Sequence, residues 1–362
     1  MDRKYWFWIN NIPGIGNIKI RRLLKAFGDE PERVAKAGLK DLLFVEGISQ
    51  ADADKIKSRS LMEGIFKKYY EYNKCRTCFV FPVDKEYPAR LKELYDRPNV
   101  LYYIGKLPSN KNKKIAVVGS RNCSEYGRSV ALELGKRLSS AGADVISGLA
   151  LGIDAASHQG AIMAGGATYA VLAGGVDVCY PRQNFNTYID ILKNGGVLSE
   201  FPPGTSTRPG MFPLRNRIIS GLSDAVIIVE AGPKSGSLIT AAQALDQNRT
   251  VYVIPGRITD ADSIGCNRLI AQGAQIVSSY EELLRDLGLG SIDIDANKQI
   301  NFILATDEKM LYSQLLDFSP KSLDSLINMS KLPQTRVFQA LLTLELKGLI
   351  REISKNFYIR IM

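Results

Sequence analysis

Between residues 115 and 277 the chain alternates short apolar runs with longer amphipathic segments, and this pattern restricts the fold more than any other feature. Each run is unbroken and rich in β-branched residues, which is typical of a strand buried on both faces. The segments between them, such as 126–139 and 237–247, have helical spacing. We therefore predict a Rossmann-like, doubly wound α/β domain with a parallel sheet. The predicted strands are 115–119, 144–147, 168–173, 196–199, 225–229, 250–254 and 274–277.

Small, hydroxyl-bearing and cationic residues follow most of these strands. In doubly wound sheets, ligands bind outside the carboxyl ends of the strands. Turn geometry alone explains glycine at one or two strand ends, but serine, arginine and glycine at most of them predict a phosphate-lined crevice. The residues concerned are Gly119-Ser120-Arg121, Ser147-Gly148-Leu149-Ala150, Ala173-Gly174-Gly175, Ser199-Glu200, Glu230-Ala231-Gly232 and Pro255-Gly256.

The segment 199–240 holds the densest group of candidate binding residues. Arg215 and Arg217 stand where a helix is predicted to begin, and their planar guanidinium groups suit phosphate. The later turn, Lys234-Ser235-Gly236-Ser237, opens another helix, whose free amides attract anions. A purely structural interpretation remains open, in which Gly236 makes a turn, Ser237 caps a helix and the arginines are surface charge.

The chain has 362 residues, a formal net charge of +10 and the composition of an ordinary globular protein. Basic and acidic residues number 14 and 10 in 1–72, 24 and 18 in 73–285, and 9 and 9 in 286–362, so the excess charges are +4, +6 and 0. A basic protein is a candidate for binding a polyanion. The neutral tail is a poor candidate for holding DNA by charge alone.

Cysteine and histidine are too few for a structural metal site. Cys75 and Cys78 form one C-x-x-C pair, but there is no second pair and His158 is the single histidine. A structural zinc ion needs about four ligands, so we expect no metal, and we interpret the cysteines as structural. No run approaches the roughly 20 apolar residues of a membrane helix, and no signal peptide is evident, so we expect a cytoplasmic protein.

The first 72 residues have helical periodicity and contain a repeated glycine turn. Ile12-Pro13-Gly14-Ile15-Gly16 precedes a basic helix, and Val45-Glu46-Gly47-Ile48-Ser49 repeats this pattern more weakly. This resembles a tandem helix-hairpin-helix unit, in which the amides of the turn contact DNA phosphate. A sterile-alpha-motif-like bundle, in which the glycines only turn the chain, is the alternative, and the sequence does not decide between them.

The remaining boundaries follow from changes in composition. Residues 73–114 form a proline-punctuated lobe with candidate strands at 78–81 and 100–104. We assign 73–285 to an extended Rossmann-like domain and 286–300, with Asp293 and Asp295, to a linker. Residues 301–362 resemble a winged helix, with helices at 323–330 and 335–346 and a hairpin at 348–359. Its second helix offers Arg336 and Lys347 against Glu345, which favours a protein-interaction or structural role over base recognition.

Several segments in order make the central domain similar to the DNA-processing protein A family, also called Smf, of natural transformation. Together they cover that domain almost throughout, and the flanking domains also suit the family. The segments are VGSRNCSEYG (118–127), SGLALGIDAASH (147–158), AVLAGGVDVCYP (170–181), LSEFPPG (198–204), FPLRNRIISGLSDAVIIVEA (212–231), SGSLITAAQAL (235–245) and VIPGRITDADSIGCNRLIAQGA (253–274).

This resemblance implies a cytoplasmic protein that binds incoming single-stranded DNA, protects it and helps to load the RecA recombinase. It also implies a homodimer through the central domain, no cofactor and no enzymatic turnover. By motif match, the implied phosphate ligands are arginines, a lysine and loop amides and hydroxyls, and Phe212 is a candidate for stacking on a base, with a core role as the alternative. The implied DNA-binding residues are Gly119, Ser120, Arg121, Arg182, Phe212, Arg215, Asn216, Arg217, Lys234, Ser235, Gly236, Ser237 and Thr240.

Three rival functions remain open. A nucleotide phosphoribohydrolase would use a glycine- and threonine-rich phosphate loop with nearby Arg and Glu, although the loop here lacks the PGGxGT pattern. A dinucleotide oxidoreductase is a poorer match, because the chain after Val118 reads GSRNCS without the GxGxxG spacing. A pure scaffold is the third alternative, and mutation of Arg121 would distinguish it.

Four residues are candidates for acid–base catalysis, but each has a structural alternative. Asp154 and His158 are four residues apart on a predicted helix, a spacing that also suits a structural pair. Glu200 and Glu230 follow strands and could instead bind backbone amides that orient the basic residues. Because no serine, cysteine or metal-ligand cluster supplies a nucleophile or Lewis acid, we predict no catalytic residue.

Overall fold

A computed structural model of the chain describes residues 2–72, 74, 77–290, 304–315 and 319–360. Cys75 of the C-x-x-C pair and the linker residues Asp293 and Asp295 lie outside this part of the chain. Within it, no helix combines the length and hydrophobicity needed to cross a bilayer.

Two copies of one helix–turn–helix arrangement make up most of the N-terminal region. The first copy is α1 and α2, the second is α4 and α5, and Gly14 and Gly47 in the two turns have the same φ of 81°. Asp2 and Ser49 cap α1 and α5 by accepting backbone N–H groups. The helices are α1 (Arg3–Asn10), α2 (Asn17–Ala26), α3 (Pro31–Lys36), α4 (Leu39–Leu43), α5 (Gln50–Lys57) and α6 (Arg59–Tyr72).

Reciprocal hydrogen bonds show that the two copies pack as equivalent halves. Lys55 Nζ donates to the Pro13 carbonyl at 3.0 Å, and Arg22 Nη1 donates to the Glu46 carbonyl at 3.1 Å. Between them, Lys19 Nζ lies 2.6 Å from Asp52 Oδ2, a pair that is 33 residues apart and therefore occupies matching positions of the repeat.

Each glycine turn thus presents a carbonyl to the other copy. At the second turn, the backbone amide of Ser49 also donates to Asp52, at 3.0 Å. Contact of these turns with DNA remains a prediction.

The central region is built on one nine-stranded sheet with the order β1-β2-β6-β5-β4-β3-β7-β8-β9. Strands β3 to β9 run parallel, and β1 and β2 add an antiparallel edge next to β6. The strands are β1 (Cys78–Val80), β2 (Leu101–Gly105), β3 (Lys114–Val118), β4 (Asp144–Ser147), β5 (Thr168–Val171), β6 (Gly196–Ser199), β7 (Ala225–Ile228), β8 (Thr250–Val253) and β9 (Gln275–Ile276).

Helices cover both faces of this sheet, and apolar clusters lie between the helices and each face. The predicted doubly wound fold is therefore confirmed. The predicted 73–114 lobe differs in one respect, because its two strands extend the same sheet. The helices are α7 (Ala89–Lys92), α8 (Glu125–Ser140), α9 (Ile153–Met163), α10 (Phe185–Asn194), α11 (Met211–Leu222), α12 (Gly236–Asp246), α13 (Ile264–Ala271) and α14 (Tyr280–Asp286).

The strand order reverses between β3 and β7. From β3 the chain adds β4, β5 and β6 on one side, and then returns to add β7, β8 and β9 on the other. The loops that follow β3 and β7 consequently leave the sheet side by side and diverge to opposite faces. Such a switch point opens a crevice at the carboxyl edge of a doubly wound sheet.

The C-terminal region forms a winged helix, as predicted. Its core joins Leu326, Val337, Leu341 and Leu344 from two helices to Tyr358 of the hairpin. The elements are α15 (Thr306–Gln314), β10 (Lys321–Ser322), α16 (Leu323–Ser330), α17 (Gln334–Leu346), β11 (Ile350–Ser354) and β12 (Phe357–Arg360). Strands β10, β12 and β11 pair as an antiparallel sheet in that order.

Candidate nucleic-acid interface

A crevice of about 630 Å³ opens at the switch point between β3 and β7. Three elements form its walls, namely the loop after β3, the first turns of α11, and the loop from β7 into α12. Eleven of the thirteen predicted DNA-binding residues line it, and Ile219 and Asp262 are also part of the lining. These eleven are Gly119, Ser120, Arg121, Phe212, Arg215, Asn216, Lys234, Ser235, Gly236, Ser237 and Thr240.

The loop after β3 is held by Glu230, whose side chain is buried at the end of β7. The Glu230 carboxylate accepts the backbone N–H of Ser124 at 2.9 Å and its hydroxyl at 2.5 Å. Ser124 in turn caps α8. At Gly119, a Cβ atom would lie 2.7 Å from Ile153 and 2.9 Å from the Glu230 carbonyl, so only glycine fits there. This packing fixes the loop that carries Arg121.

The loop from β7 ends in the N-terminus of α12, which faces the crevice. Ser235 caps this helix by accepting the Ser237 N–H at 3.3 Å, and the two hydroxyls lie 2.7 Å apart. Gly236 meets no other atom within 4 Å of its Cβ direction, so the backbone is open to a ligand at this point. Lys234 is exposed beside the cap. Helix amides, hydroxyls and a lysine together form an anion-binding surface.

Helix α11 supplies a buried arginine to the floor of the crevice. Arg215 is 5% exposed and donates from Nη1 to the Gly148 carbonyl at 2.6 Å and to the Val171 carbonyl, while its Nε donates to Asn216 Oδ1 at 3.0 Å. Burial, with a smaller contribution from the charge of Arg121, lowers the pKa of Arg215 to about 10, so it stays charged at neutral pH. Arg215 therefore contributes positive charge to the crevice, although most of its N–H donors already form hydrogen bonds within the protein.

The ring of Phe212 contacts the two crevice arginines and an exposed tyrosine. The guanidinium carbons of Arg121 and Arg215 lie 4.6 and 5.9 Å from its ring centroid. The ring of Tyr180 lies 6.2 Å away, at an interplanar angle of 51°. Phe212 is therefore neither a core residue nor a bare platform. Tyr180 is exposed but was not among the predicted site residues, although its place at the end of the quoted segment AVLAGGVDVCYP, two residues before Arg182, was the available signal.

Two predicted ligands lie away from the crevice. Arg217, two residues beyond Arg215 on α11, is buried and donates from Nη2 to Glu200 at 2.5 Å, with Asp96 at 3.3 Å from its Nε. The expectation that both arginines face one site is thus corrected, because positions two apart on a helix point in nearly opposite directions. Arg182 is exposed in the turn after Tyr180, outside the crevice lining.

The four residues considered for acid–base catalysis all have structural roles. His158 is fully buried, its Nδ1 lies 2.7 Å from Thr168 Oγ1, and burial lowers its pKa to about 3. Asp154 instead accepts the N–H of Gly148 at 3.1 Å, so the predicted side-by-side pair of Asp154 and His158 is absent.

The two glutamates are also engaged. Glu200 accepts from Asn17 and Arg217, each at 2.5 Å, and Glu230 holds the Ser124 turn as described above. Among the described residues, no group of three His, Cys, Asp or Glu side chains is placed to hold a metal ion.

The geometry suits a phosphate-bearing ligand. Three cations, Arg121, Arg215 and Lys234, face two carboxylates, and that of Asp154 is already hydrogen-bonded. Arg121 and Lys234 are exposed and form no ion pair within the part of the chain that the structure describes. An anion entering the crevice would meet free cations and a helix N-terminus without first displacing a carboxylate.

Known proteins match the chain over both its central and C-terminal regions. A family model described as DNA recombination-mediator protein A matches residues 78–288, and a DprA winged helix domain matches residues 298–354. Protein Smf of Synechocystis sp. is 36% identical over 291 residues, which cover 79% of this chain and 73% of that protein. DNA processing protein DprA of Bacillus subtilis is 45% identical over 204 residues, 56% of this chain and 69% of that protein.

Solved structures agree with these relatives. The X-ray structure of DprA from Streptococcus pneumoniae superposes with a TM-score of 0.66 at 34% identity, and the match covers 78% of this chain and 97% of that one. A DprA structure from Helicobacter pylori, described as showing a single-stranded DNA binding mode, has a TM-score of 0.53 at 29% identity and covers 59% of this chain and 95% of that one. The predicted family resemblance is confirmed, and this chain belongs to the DNA recombination-mediator protein A family.

Proposed function

We propose that the crevice binds single-stranded DNA through its phosphate backbone, with little dependence on base sequence. In this role the protein would protect incoming strands and help to load RecA. The observation that carries the proposal is the exposed Arg121, which has no ion pair among the described residues and lies over Phe212 beside the α12 N-terminus. The relative from Helicobacter pylori, described as binding single-stranded DNA, supports the same assignment.

Each wall of the crevice has a distinct part in this proposal. Arg121 and Lys234 pair with phosphates, and the α12 amides together with the hydroxyls of Ser237 and Thr240 donate to a further phosphate oxygen. Arg215 stabilises the floor of the crevice through its hydrogen bonds and adds positive electrostatic potential there. Phe212 and Tyr180 offer rings for a base, a contact worth about 1–3 kcal/mol. Because every base has a π-face, such stacking tolerates any sequence.

Arg182 and Arg217 have peripheral parts. Arg182 extends the basic surface at the rim beyond Tyr180. Arg217 acts indirectly, because its pair with Glu200 anchors α11 to the end of β6.

Fluorescence anisotropy of a labelled oligo-dT across a salt series tests the crevice. If about four phosphates are contacted, log Kobs should fall with a slope of about −3 against log salt, since each contact contributes about −0.7. Arg121→Ala should weaken binding roughly tenfold and make the slope shallower by about 0.7. Arg268→Ala is the matched control, because Arg268 is an exposed arginine outside the crevice. Equal binding by wild type and Arg121→Ala would contradict the assignment.

The proposal includes no enzymatic turnover. The glutamates that a phosphoribohydrolase would need are already engaged by Ser124 and Arg217. Incubation with nucleoside monophosphates should release no base above a buffer control. Base release that Glu230→Gln abolishes would favour the hydrolase instead.

We also propose a homodimer through the central domain and a transfer of the bound strand to RecA, both supported by family membership. Light scattering should then give twice the 40.0 kDa mass of one chain. The protein should shorten the lag of RecA assembly on oligo-dT, and Arg121→Ala should restore that lag.

A further inference from the structure

A second basic cleft, of about 400 Å³, lies outside the crevice, between α2 and the segment 82–99. Four cations line it, two from the N-terminal region and two from the segment that precedes β2. They face one carboxylate, that of Asp29. The four cations are Arg21, Lys25, Lys92 and Arg97. We call this the α2 cleft.

The cations of the α2 cleft lack acidic partners within the described residues. Lys92 Nζ donates to the Asp84 carbonyl at 3.3 Å, and Arg97 Nη1 donates to the Lys92 carbonyl at 3.2 Å. Arg97 Nε is buried and has no acceptor in the part of the chain that the structure describes. A buried donor without a partner is costly, and Arg97 lines the cleft, so its guanidinium group is a candidate to bind an anion there.

The acidic residues near the α2 cleft already form ion pairs with other cations. Asp84 pairs with Arg3 at 2.6 Å, Glu93 with Arg249 at 3.3 Å, and Asp96 with Arg217 at 3.3 Å. Burial is the main cause that lowers the pKa of Arg21; the charge of Arg97 lowers it further, whereas Tyr95 and Asp96 raise it, so Arg97 lies close enough to repel Arg21. A bound anion would relieve this repulsion.

An exposed aromatic ring lies beside one of these cations, Arg21. Tyr95 is 83% exposed, and the guanidinium carbon of Arg21 lies 5.1 Å from its ring centroid. Cations that can follow a phosphate backbone, together with a ring on which a base can stack, are typical of single-strand sites. Duplex DNA keeps its bases stacked inside, and an acidic peptide has no need of the ring. The combination therefore favours a single strand.

Helix α11 connects the α2 cleft to the crevice. Arg215 and Asn216 line the crevice, whereas Arg217 contacts Asp96, the residue next to Arg97. We propose that the α2 cleft is a second single-stranded DNA site, in which the four cations bind phosphates and Tyr95 stacks on a base. The inference rests on the proposed function, because it extends the strand held in the crevice.

Binding to oligo-dT of two lengths tests this assignment. The probes are about 6 nucleotides, near the lower end of the roughly 4–16 that one single-strand module covers, and about 30 nucleotides. Arg21→Glu with Lys25→Glu should weaken binding of the long strand about tenfold and make its salt slope shallower by about 1.4, for two lost phosphate contacts. Binding of the short strand should change less than twofold.

The control is Lys67→Glu with Lys68→Glu, which makes the same charge change at exposed positions of α6. Tyr95→Ala should weaken long-strand binding about fivefold without changing the salt slope, since no charge is lost. An iodouracil-substituted strand should cross-link to Tyr95 in the wild type, as identified by mass spectrometry.

Three other results would contradict the proposed second site, and they differ in what else they contradict. If the Arg21 and Lys25 variant matches the control and no cross-link forms at Tyr95, the second site is wrong while the crevice stands. If the wild type binds neither strand, the proposed function fails and the second site fails with it. If the variant loses binding only to a labelled polyglutamate peptide, the α2 cleft is a site for acidic protein and the inference is overturned.

Discussion

Cations lie both in the crevice and on helix α17 of the winged helix, but they differ in whether a carboxylate neutralises them. Arg121 and Lys234 are exposed and have no ion pair among the described residues. In the winged helix, Arg336 on α17 donates twice to Asp307, at 2.7 and 2.6 Å, and Lys347 Nζ lies 2.6 Å from Glu308. A cation with a carboxylate partner adds little to polyanion binding. For polyanion binding, the comparison shows that the position of a cation matters less than whether a carboxylate of the protein already neutralises it.

The two regions also differ in the apolar surface that they expose. On α17, Phe338, Leu342 and Leu346 are 43, 60 and 81% exposed. Exposed apolar surface of this kind is typical of a site that contacts another protein. These differences support our proposal that the crevice is the DNA site and that α17 contacts protein, in line with the neutral charge of the tail.

The largest expected effect comes from reversing the free charges of the crevice. Arg121→Glu with Lys234→Glu should weaken oligo-dT binding at least about 100-fold, because two phosphate contacts become repulsive. The same charge change on the wing, Arg351→Glu with Lys355→Glu, should alter affinity less than about twofold. Anisotropy at one salt concentration measures both. Comparable losses in the two variants would remove the distinction between the regions.

A smaller effect is expected on the stability of the protein, through His158, the single histidine of the chain. Burial lowers the pKa of His158 from 6.5 to about 3. Below pH 6.5 the unfolded chain binds a proton that the folded chain does not, so stability present above that pH is lost as the pH falls. Between pH 7.5 and 5.5 this single group should lower the free energy of unfolding by about 1.4 kcal/mol.

Urea unfolding at the two pH values measures that loss. His158→Asn, which can retain a hydrogen bond to Thr168, should show a pH dependence smaller by about the same 1.4 kcal/mol. An unchanged pH dependence in this variant would mean that His158 has nearly the same pKa in the folded protein as in the unfolded chain.

The smallest effect is expected on α17. Leu342→Ser with Leu346→Ser should leave oligo-dT affinity within about twofold and stability within about 0.5 kcal/mol per site, because both side chains are exposed. Anisotropy and thermal unfolding check these values. A marked loss of DNA binding would place α17 in the DNA interface and break the comparison.

Local pattern was enough to predict the central sheet. All seven predicted strands of the parallel part are present, and no end is shifted by more than two residues. The repeat between residues 12–16 and 45–49 was also visible, and the contacts of Lys55 and Arg22 show its structural basis. The joining of β1 and β2 to the same sheet was not predicted, because antiparallel pairing with β6 depends on residues about a hundred positions away.

Part of the candidate site could be predicted as well, since strand order and direction place every strand end on one edge. Tyr180 was missed because it lies in a loop whose path no periodic pattern describes. The α2 cleft was missed for a related reason. Its cations come from two segments, around Arg21 and Arg97, that are separated by most of the N-terminal region.

The sequence by itself determined a basic, doubly wound domain with phosphate-type loops and two flanking helical modules. Only the tertiary structure decided which cations are available. Arg121, Arg215 and Arg217 are the same residue type, yet among the described residues Arg121 stacks on Phe212 without an ion pair, Arg215 is bonded to buried carbonyls and Arg217 is paired with Glu200. The physical reason is that the strength of a charge toward a ligand depends on its burial and its partners, and those partners lie far away in sequence.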